Sequence, residues 1–376
     1  MKVGQILSFM DGVVPPEYQD IYKKALSRLQ IRVRPHPWEA MQAVLETELG
    51  KDWDKHFSEF EKDPHGAASI GQVYRARLQD GRDVAVKIQY PEIREALNSD
   101  LKNVQALLKT MRTLLPGLDN EQFAGDFIGR LREEVDYLRE ASNQQQFLNC
   151  WKEDDKVIVP APIHELCRTR ILVSEWHRGQ TFSDVIRAAS AEDKSQFGTT
   201  LFRFAFESIL RHGLFNADPH PGNYLFLENG RVVFLDFGFV QRYEDSDRKA
   251  LQQTLRALLN GARGEALWKT IEKELLIPTG TSPNIQTLLL DYILFVAEPY
   301  VGSQPFRFST EFTSKVSELS TQTKLKLAKD IFKSQWHEPK RKGISPLVRI
   351  LFGLNSLLAA LEAENDWREI LNRTLS

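Results

Sequence analysis

The most restrictive stretch of this chain runs from Asn216-Ala-Asp-Pro-His-Pro-Gly-Asn223 to Phe234-Leu-Asp-Phe-Gly238. An aspartate is followed five positions later by an asparagine, and an Asp-Phe-Gly begins thirteen positions after that. Two short runs rich in strand-forming residues, Tyr224-Leu-Phe-Leu227 and Val232-Val-Phe-Leu235, join the pieces. Runs of this kind, so close in sequence, fold back on each other as a hairpin. The loop before the hairpin and the turn after it then meet, and Asp218, Asn223 and Asp236 share one pocket.

At 376 residues the chain is long enough for two or three compact units with a large core. Lysine and arginine number 49 against 51 acidic residues, a net charge of -2, so no global basic field argues for nucleic acid. A polyanionic partner must be bound locally. Cys150 and Cys167 are too few for a disulfide framework or a zinc site, which points to a reducing compartment and structural thiols. Met1-Lys-Val-Gly-Gln5 runs into an amphipathic segment rather than an apolar signal region, so the expectation is a soluble, cytoplasmic protein. Residues 287–301 are broken by Asp291 and Glu298, and residues 347–361 carry Arg349 and Asn355. Neither stretch supplies the roughly 20 apolar residues that cross a bilayer.

Up to about Phe60 apolar residues recur at helical spacing, with breaks at Pro15-Pro16 and Pro35-His36-Pro37, which predicts two or three helices. The period then changes. Gln72–Arg77 and Asp83–Gln89 alternate, and Asp80-Gly81 between them marks a tight hairpin turn. Alternation sends Val84, Val86 and Ile88 to one face, and Ala85, Lys87 and Gln89 to the other. Pro91 opens a long helical region reaching about Trp151, and Val157-Ile-Val159 with Ile171–Trp176 form a second strand group. From Thr181 onward the pattern is helical apart from the hairpin segment. The expected organisation is α+β, with an N-terminal helical extension over 1–62, a strand-bearing lobe over 63–178 and a helical lobe over 179–376.

The order of these pieces is that of kinase machinery, and phosphoryl transfer asks of a protein mainly that it position and neutralise a triphosphate. Gly66-Ala-Ala-Ser69, continuing to Gly71, lies just before a strand, where small side chains let backbone N–H groups approach an anion. It reads equally as a tight entry into that strand. Lys87 follows Val84-Ala-Val86, the strand context of a lysine that reaches the α and β phosphates; the alternative is a surface lysine. A partly buried ammonium needs a carboxylate partner. The acidic segment Glu133–Glu140 is the obvious supplier. On a regular helix Asp136 and Glu140 share a face while Glu134 points elsewhere, so Glu140 is favoured over a merely solvated acidic face. Asp218 would orient or deprotonate the attacking hydroxyl, and Asn223 and Asp236 offer hard oxygen ligands for magnesium. His220 fits two roles, neutralising a γ-phosphate or bracing its own turn. The adenine site is expected around Ser174-Glu-Trp-His-Arg-Gly179, with Glu175 at its centre.

These residues together resemble the UbiB family of atypical kinases, also called the AarF family, over most of the chain. Lys2-Val-Gly-Gln5 resembles the family's Lys-x-Gly-Gln signature, and Gly66-Ala-Ala-Ser69 its alanine-rich replacement for a glycine-rich loop. Glu134-Val-Asp136, followed by Glu140-Ala-Ser-Asn143, matches the Glu-x-Asp motif. Asn216–Asn223 and Asp236–Gly238 match the catalytic and metal segments. The resemblance implies a protein-kinase-like two-lobed fold with an N-terminal extension, bearing Lys2 and Gln5, packed over the active site. Such an extension fills the space a protein substrate would need. The implied cofactors are ATP and Mg2+, and the implied activity is ATP hydrolysis or small-molecule phosphorylation tied to isoprenoid-quinone lipids. Two departures stand out: the loop begins with Gly66 where alanine is usual, and the Lys-x-Gly-Gln signature starts at the second residue, where relatives usually have sequence before it. Membrane-spanning C-terminal helices common in relatives are also not evident.

Pro339-Lys-Arg-Lys-Gly343, followed by leucine and isoleucine at helical spacing up to Leu361, combines a basic cluster with an apolar stripe. That combination suits an anionic membrane surface, whereas the plainer alternative is a terminal helix packed on the second lobe. The leading expectation is therefore an ATPase or kinase acting on water or a lipid hydroxyl. A small-molecule phosphotransferase and a non-catalytic ATP-binding regulator are the alternatives.

Overall fold

The computed structural model describes residues 36–68, 70–93, 135–216, 218–274, 281–331 and 344–376. The chain forms two compact units. One holds the described residues up to Gln146 together with Pro160–Trp176 and Phe237–Phe239. The other holds Phe147–Val159, His177–Asp236 and Val240–Ser376.

The first unit is built on an antiparallel sheet of β1 (Phe57–Phe60), β2 (Gly66–Ala68), β3 (Gly71–Leu78), β4 (Asp83–Gln89) and β6 (Ile171–Glu175). β3 and β4 pair from Gly71↔Gln89 to Arg77↔Asp83, and β6 adds to the far side of β4. β1 and β2 share the remaining edge of β3, one at each end. The turn after β3 uses Gly81 at φ +88°, a left-handed conformation that glycine adopts without a Cβ clash. As alternation requires, Val84, Val86 and Ile88 are fully buried. They pack with Tyr74 and with Met41 and Leu45 of helix α1 (Trp38–Leu49). Trp38 closes this layer, its ring 5.4 Å from Tyr74 and 5.2 Å from Phe60.

Two sequence expectations are corrected here. Phe57–Phe60 is a strand, not the end of a helical run. Its spacing of three between phenylalanines reads as helical, but a bulge between Phe57 and Glu59 turns both rings to one side, where they contact each other and Trp53. The second correction concerns the strand group after Trp151. Ile171–Glu175 joins the first unit's sheet, whereas β5 (Val157–Ile158) pairs in parallel with Val232–Val233 in the second unit. Pro160 and Pro162 separate the two segments, and hydrophobic runs alone carry no information on which strand each will meet.

The second unit has helix α4 (Ala191–Leu210) at its centre, capped by Ser190, whose side chain accepts from the Asp193 N–H. Before it, α3 (Phe182–Ala188) starts with a reciprocal capping box between Thr181 and Asp184. Phe204 of α4 stacks on Phe234 with ring centroids 3.7 Å apart, and Phe202 packs on Trp367, which is fully buried. The hairpin is present: β8 (Tyr224–Phe226) pairs antiparallel with β9 (Val232–Phe234), and β5 flanks β9. β7 (Leu214–Asn216) and β10 (Val240–Arg242) form a small ribbon that the sequence reading did not anticipate. Helices occupy most of the rest, including α10 (Ile344–Ala360) and the terminal α11 (Trp367–Leu375). Cys150 is half-buried and Cys167 buried, both as free thiols whose pKa burial raises. No helix among the described residues is long and apolar enough to cross a membrane.

Candidate active site

In the first unit, β3 and β4 present Val73, Ala85 and Lys87 on the face opposite the core. Lys87 Nζ donates to Glu140 Oε1 at 2.7 Å, with the two side chains only 13% and 3% exposed. The ammonium also lies 4.9 Å from the centroid of the Tyr137 ring, an added cation–π attraction. The helix that carries Glu140, α2 (Tyr137–Trp151), is fixed at its start by the sheet. Gln89, fully buried, donates from its side chain to the Val135 carbonyl at 2.9 Å, and the Tyr137 N–H donates to Thr169 O. Sheet and helix are thus locked in the register that lets lysine and carboxylate meet.

Asp136 is joined to Glu140 by the first helical bond, its carbonyl accepting the Glu140 N–H at 3.2 Å. It stands before the first helical residue and its carboxylate accepts from the Leu138 N–H at 3.1 Å, so it caps α2 while Glu140 pairs with lysine. Glu175 is placed at the end of β6, opposite Val84. Its carboxylate accepts from the Ala161 N–H at 3.0 Å and braces the preceding loop.

Gly66, Ala67 and Ala68 form strand β2, paired with Val73, Gln72 and Gly71, so the small-residue segment is one arm of a hairpin. A Cβ on Gly66 would meet nothing within 4 Å, leaving its backbone open to approach. Gly71 is different in kind: a Cβ there would sit 2.1 Å from the Ile88 carbonyl oxygen, so the crossing of β3 and β4 requires glycine. Ser69, Lys2, Gln5 and Glu134 lie outside the described residues, as does the basic cluster 339–343.

In the second unit the loop after β7 is tied by side chain to backbone. Asn216 donates from Nδ2 to the Asp236 carbonyl at 2.6 Å and accepts at Oδ1 from the Asp218 N–H at 3.3 Å. One amide therefore connects the segments carrying both aspartates, a role the sequence reading missed. Its only signal was its place two residues before Asp218. Asn223 Nδ2 donates to the Asp218 carbonyl at 3.0 Å and comes within 3.4 Å of Asp218 Oδ2. His220 accepts at Nδ1 from the Gly222 N–H at 3.1 Å and so braces its own turn, one of the two roles it fits. Tyr224 is deeply buried beneath this loop, and its phenol pKa is raised by burial and by the nearby Asp218 and Asp236 charges. The turn after Asp236 is held in the first unit, where the buried Asn143 donates to the Phe237 carbonyl at 3.0 Å. Asn143 lies three residues after Glu140 on the same helix, a spacing that shares a face.

These donors fit magnesium and a nucleotide phosphate. With its nitrogen engaged by Asp218, the Asn223 amide has its oxygen for a cation, and Asp236 supplies a carboxylate; both are hard oxygen ligands. Among the described residues no group of three or more His, Cys, Asp or Glu side chains is arranged to hold a metal. Magnesium takes one or two carboxylates and completes its shell with water and phosphate oxygens.

Residues 28–267 match the model of the ABC1 atypical kinase-like domain. The chain is 32% identical over 317 residues to the rat protein named atypical kinase COQ8B, mitochondrial, covering 84% of this chain and 59% of that protein. It is 33% identical over 308 residues to yeast atypical kinase COQ8, mitochondrial, covering 80% of this chain and 60% of the yeast protein. It therefore spans about three fifths of the length of these relatives. Among solved structures, the complex of Rv3197 with erythromycin from Mycobacterium tuberculosis superposes with a TM-score of 0.72 at 30% identity. That match covers 98% of this chain and 90% of the other. With a kinase-like α+β fold and a domain match over most of its length, the chain belongs to the ABC1 atypical kinase-like family, the UbiB/AarF group expected from its motifs.

Proposed function

We propose that this protein binds ATP with magnesium and transfers its terminal phosphoryl group to water or to a small lipid-like acceptor, in the service of isoprenoid-quinone metabolism. The observation that carries the reading is the Lys87–Glu140 pair, a lysine held at 2.7 Å by a nearly inaccessible carboxylate on a kinase-like sheet. Lys87 would hold the α and β phosphates, with the Gly66–Ala68 arm beside them offering backbone N–H groups. Asn223 and Asp236 would hold magnesium, which when bound neutralises charge on the phosphate oxygens. Asp218, its backbone fixed by Asn216 and Asn223, would orient the acceptor hydroxyl and take its proton. The adenine is expected against the backbone around Glu175. The quinone connection rests on kinship with the COQ8 proteins alone.

The test is purified protein with magnesium-ATP, with and without anionic vesicles and a phenolic quinone-precursor mimic, followed for phosphate release and labelled product. Release that disappears in Asp236→Asn is the expected result, and labelled phenol or lipid would identify a kinase. Absence of ATP binding under every condition would refute the proposal.

A further inference from the structure

Helix α10 touches the catalytic loop at a point where no side chain fits. A Cβ built on Gly353 would lie 2.1 Å from Cγ of Pro219, 3.0 Å from its Cβ and 3.4 Å from its Cδ. Pro219 directly follows Asp218. Gly353 has no left-handed backbone angle and sits inside a helix, where glycine is unfavourable by about 1 kcal/mol relative to alanine. Close approach of helix backbone to the proline ring is the physical reason for glycine at this position.

The next residue, Leu354, is buried and lines a cavity of about 20 Å³ with Pro219, Tyr224, Phe204 and Asn216. The loop's hydrogen bonds described above run within the loop or to the Asp236 backbone. Proline has no N–H to anchor it. Packing on Gly353 and Leu354 therefore supplies a lateral stop that those hydrogen bonds do not.

We propose that Gly353 is a positioning residue: the backbone of α10 seats Pro219 and so sets where Asp218 stands. This rests on Asp218 serving phosphoryl transfer as proposed above. The cavity decides how the site responds to a larger residue. A methyl group at 353 meets the ring, and the cavity that Pro219 and Leu354 both line leaves room for the loop to give way, while the helix stays packed through Leu357 and Leu358, both buried. A displacement of the order of 1 Å at a catalytic group can reduce turnover about 100-fold.

Three variants test this: Gly353→Ala, Gly353→Ala with Pro219→Ala, and Leu354→Ala. Each is measured for kcat and KM of ATP hydrolysis and for amide hydrogen exchange across residues 214–226 without nucleotide. Gly353→Ala is expected to lower kcat by about 10- to 100-fold at unchanged KM and to speed exchange in the loop. Removing the ring in the double variant is expected to restore most of both. Wild-type turnover and exchange in Gly353→Ala, or a loss that Pro219→Ala does not relieve, would overturn the proposal. Should Gly353→Ala not fold, Leu354→Ala decides, since it removes packing around Pro219 without adding an atom at 353; unchanged loop exchange there would be fatal. A wild-type protein without turnover would defeat the functional reading, while the exchange measurements would still judge the contact between helix and loop.

Discussion

Separating the Lys87–Glu140 pair by mutation gives a sharp test, because both side chains are largely removed from water, at 13% and 3% exposure. At such burial, deleting one partner leaves the other charge poorly solvated and is expected to cost about 3–5 kcal/mol. Lys87→Ala should fall in that range. Glu140→Ala should be milder by about 0.5–2 kcal/mol, since the ammonium keeps the face of Tyr137 at 4.9 Å. Replacing both at once, as Lys87→Met with Glu140→Leu, trades two charges for apolar groups of similar volume and should return stability to near wild type. The assay is urea denaturation at pH 7, followed by the fluorescence of Trp38 and Trp53 in the first unit's core, with the four proteins closed into a double-mutant cycle. The apolar pair should fold normally yet fail to hold ATP, which would separate the pair's structural role from its role in phosphate binding. A coupling below about 0.5 kcal/mol, the value of a solvated surface pair, would refute the reasoning.

Asn216→Ala should lower ATP turnover by about 10- to 100-fold while nucleotide affinity, measured by calorimetry, stays within a few-fold, because only the bridge between the Asp218 and Asp236 segments is lost. Asp154 carries a pH prediction. Burial acts to raise its pKa, but the Arg203 guanidinium at 2.6 Å and the N–H groups of Lys156 and Val157 outweigh that and hold it below its ordinary 3.8. Its stabilisation is present above pH 3.8 and is lost as pH falls through the lower folded value. Asp154→Asn should therefore destabilise the protein at pH 7, and the deficit should shrink as pH falls below 3.8, read from thermal unfolding over a pH series.

Where function and fold impose strict local chemistry, the sequence was readable. The Asp80-Gly81 turn, the alternation around Lys87 and the hairpin after Asn223 each combine a backbone requirement with a side-chain pattern, and all three form. Glu140 was selected by helix geometry as the partner of Lys87, and the two side chains meet. Asp136, four residues before Glu140, takes a further role that the pattern did not indicate, because a carboxylate just before a helix can cap it. Phe57 and Phe60 misled because a bulge mimics a helical period, and Val157 because a two-residue strand takes its identity from a partner 75 positions away. Asn216 and Gly353 were invisible for a related reason: each matters through a contact formed only after folding, with the Asp236 carbonyl or with the Pro219 ring.

The division of the chain into units has a consequence for how the protein is made. The chain passes between them five times, after Gln146, Val159, Trp176, Asp236 and Phe239. On a ribosome, the first unit cannot be completed until Phe239 has emerged, by which time Phe147–Val159 and His177–Asp236 of the second unit have also been synthesised. Neither can be released from the other by one proteolytic cut. A fragment ending near residue 178 would retain Val157–Ile158 without β9, exposing an unpaired apolar strand edge. The two units are thus interleaved along the chain, and neither can be made as one uninterrupted segment.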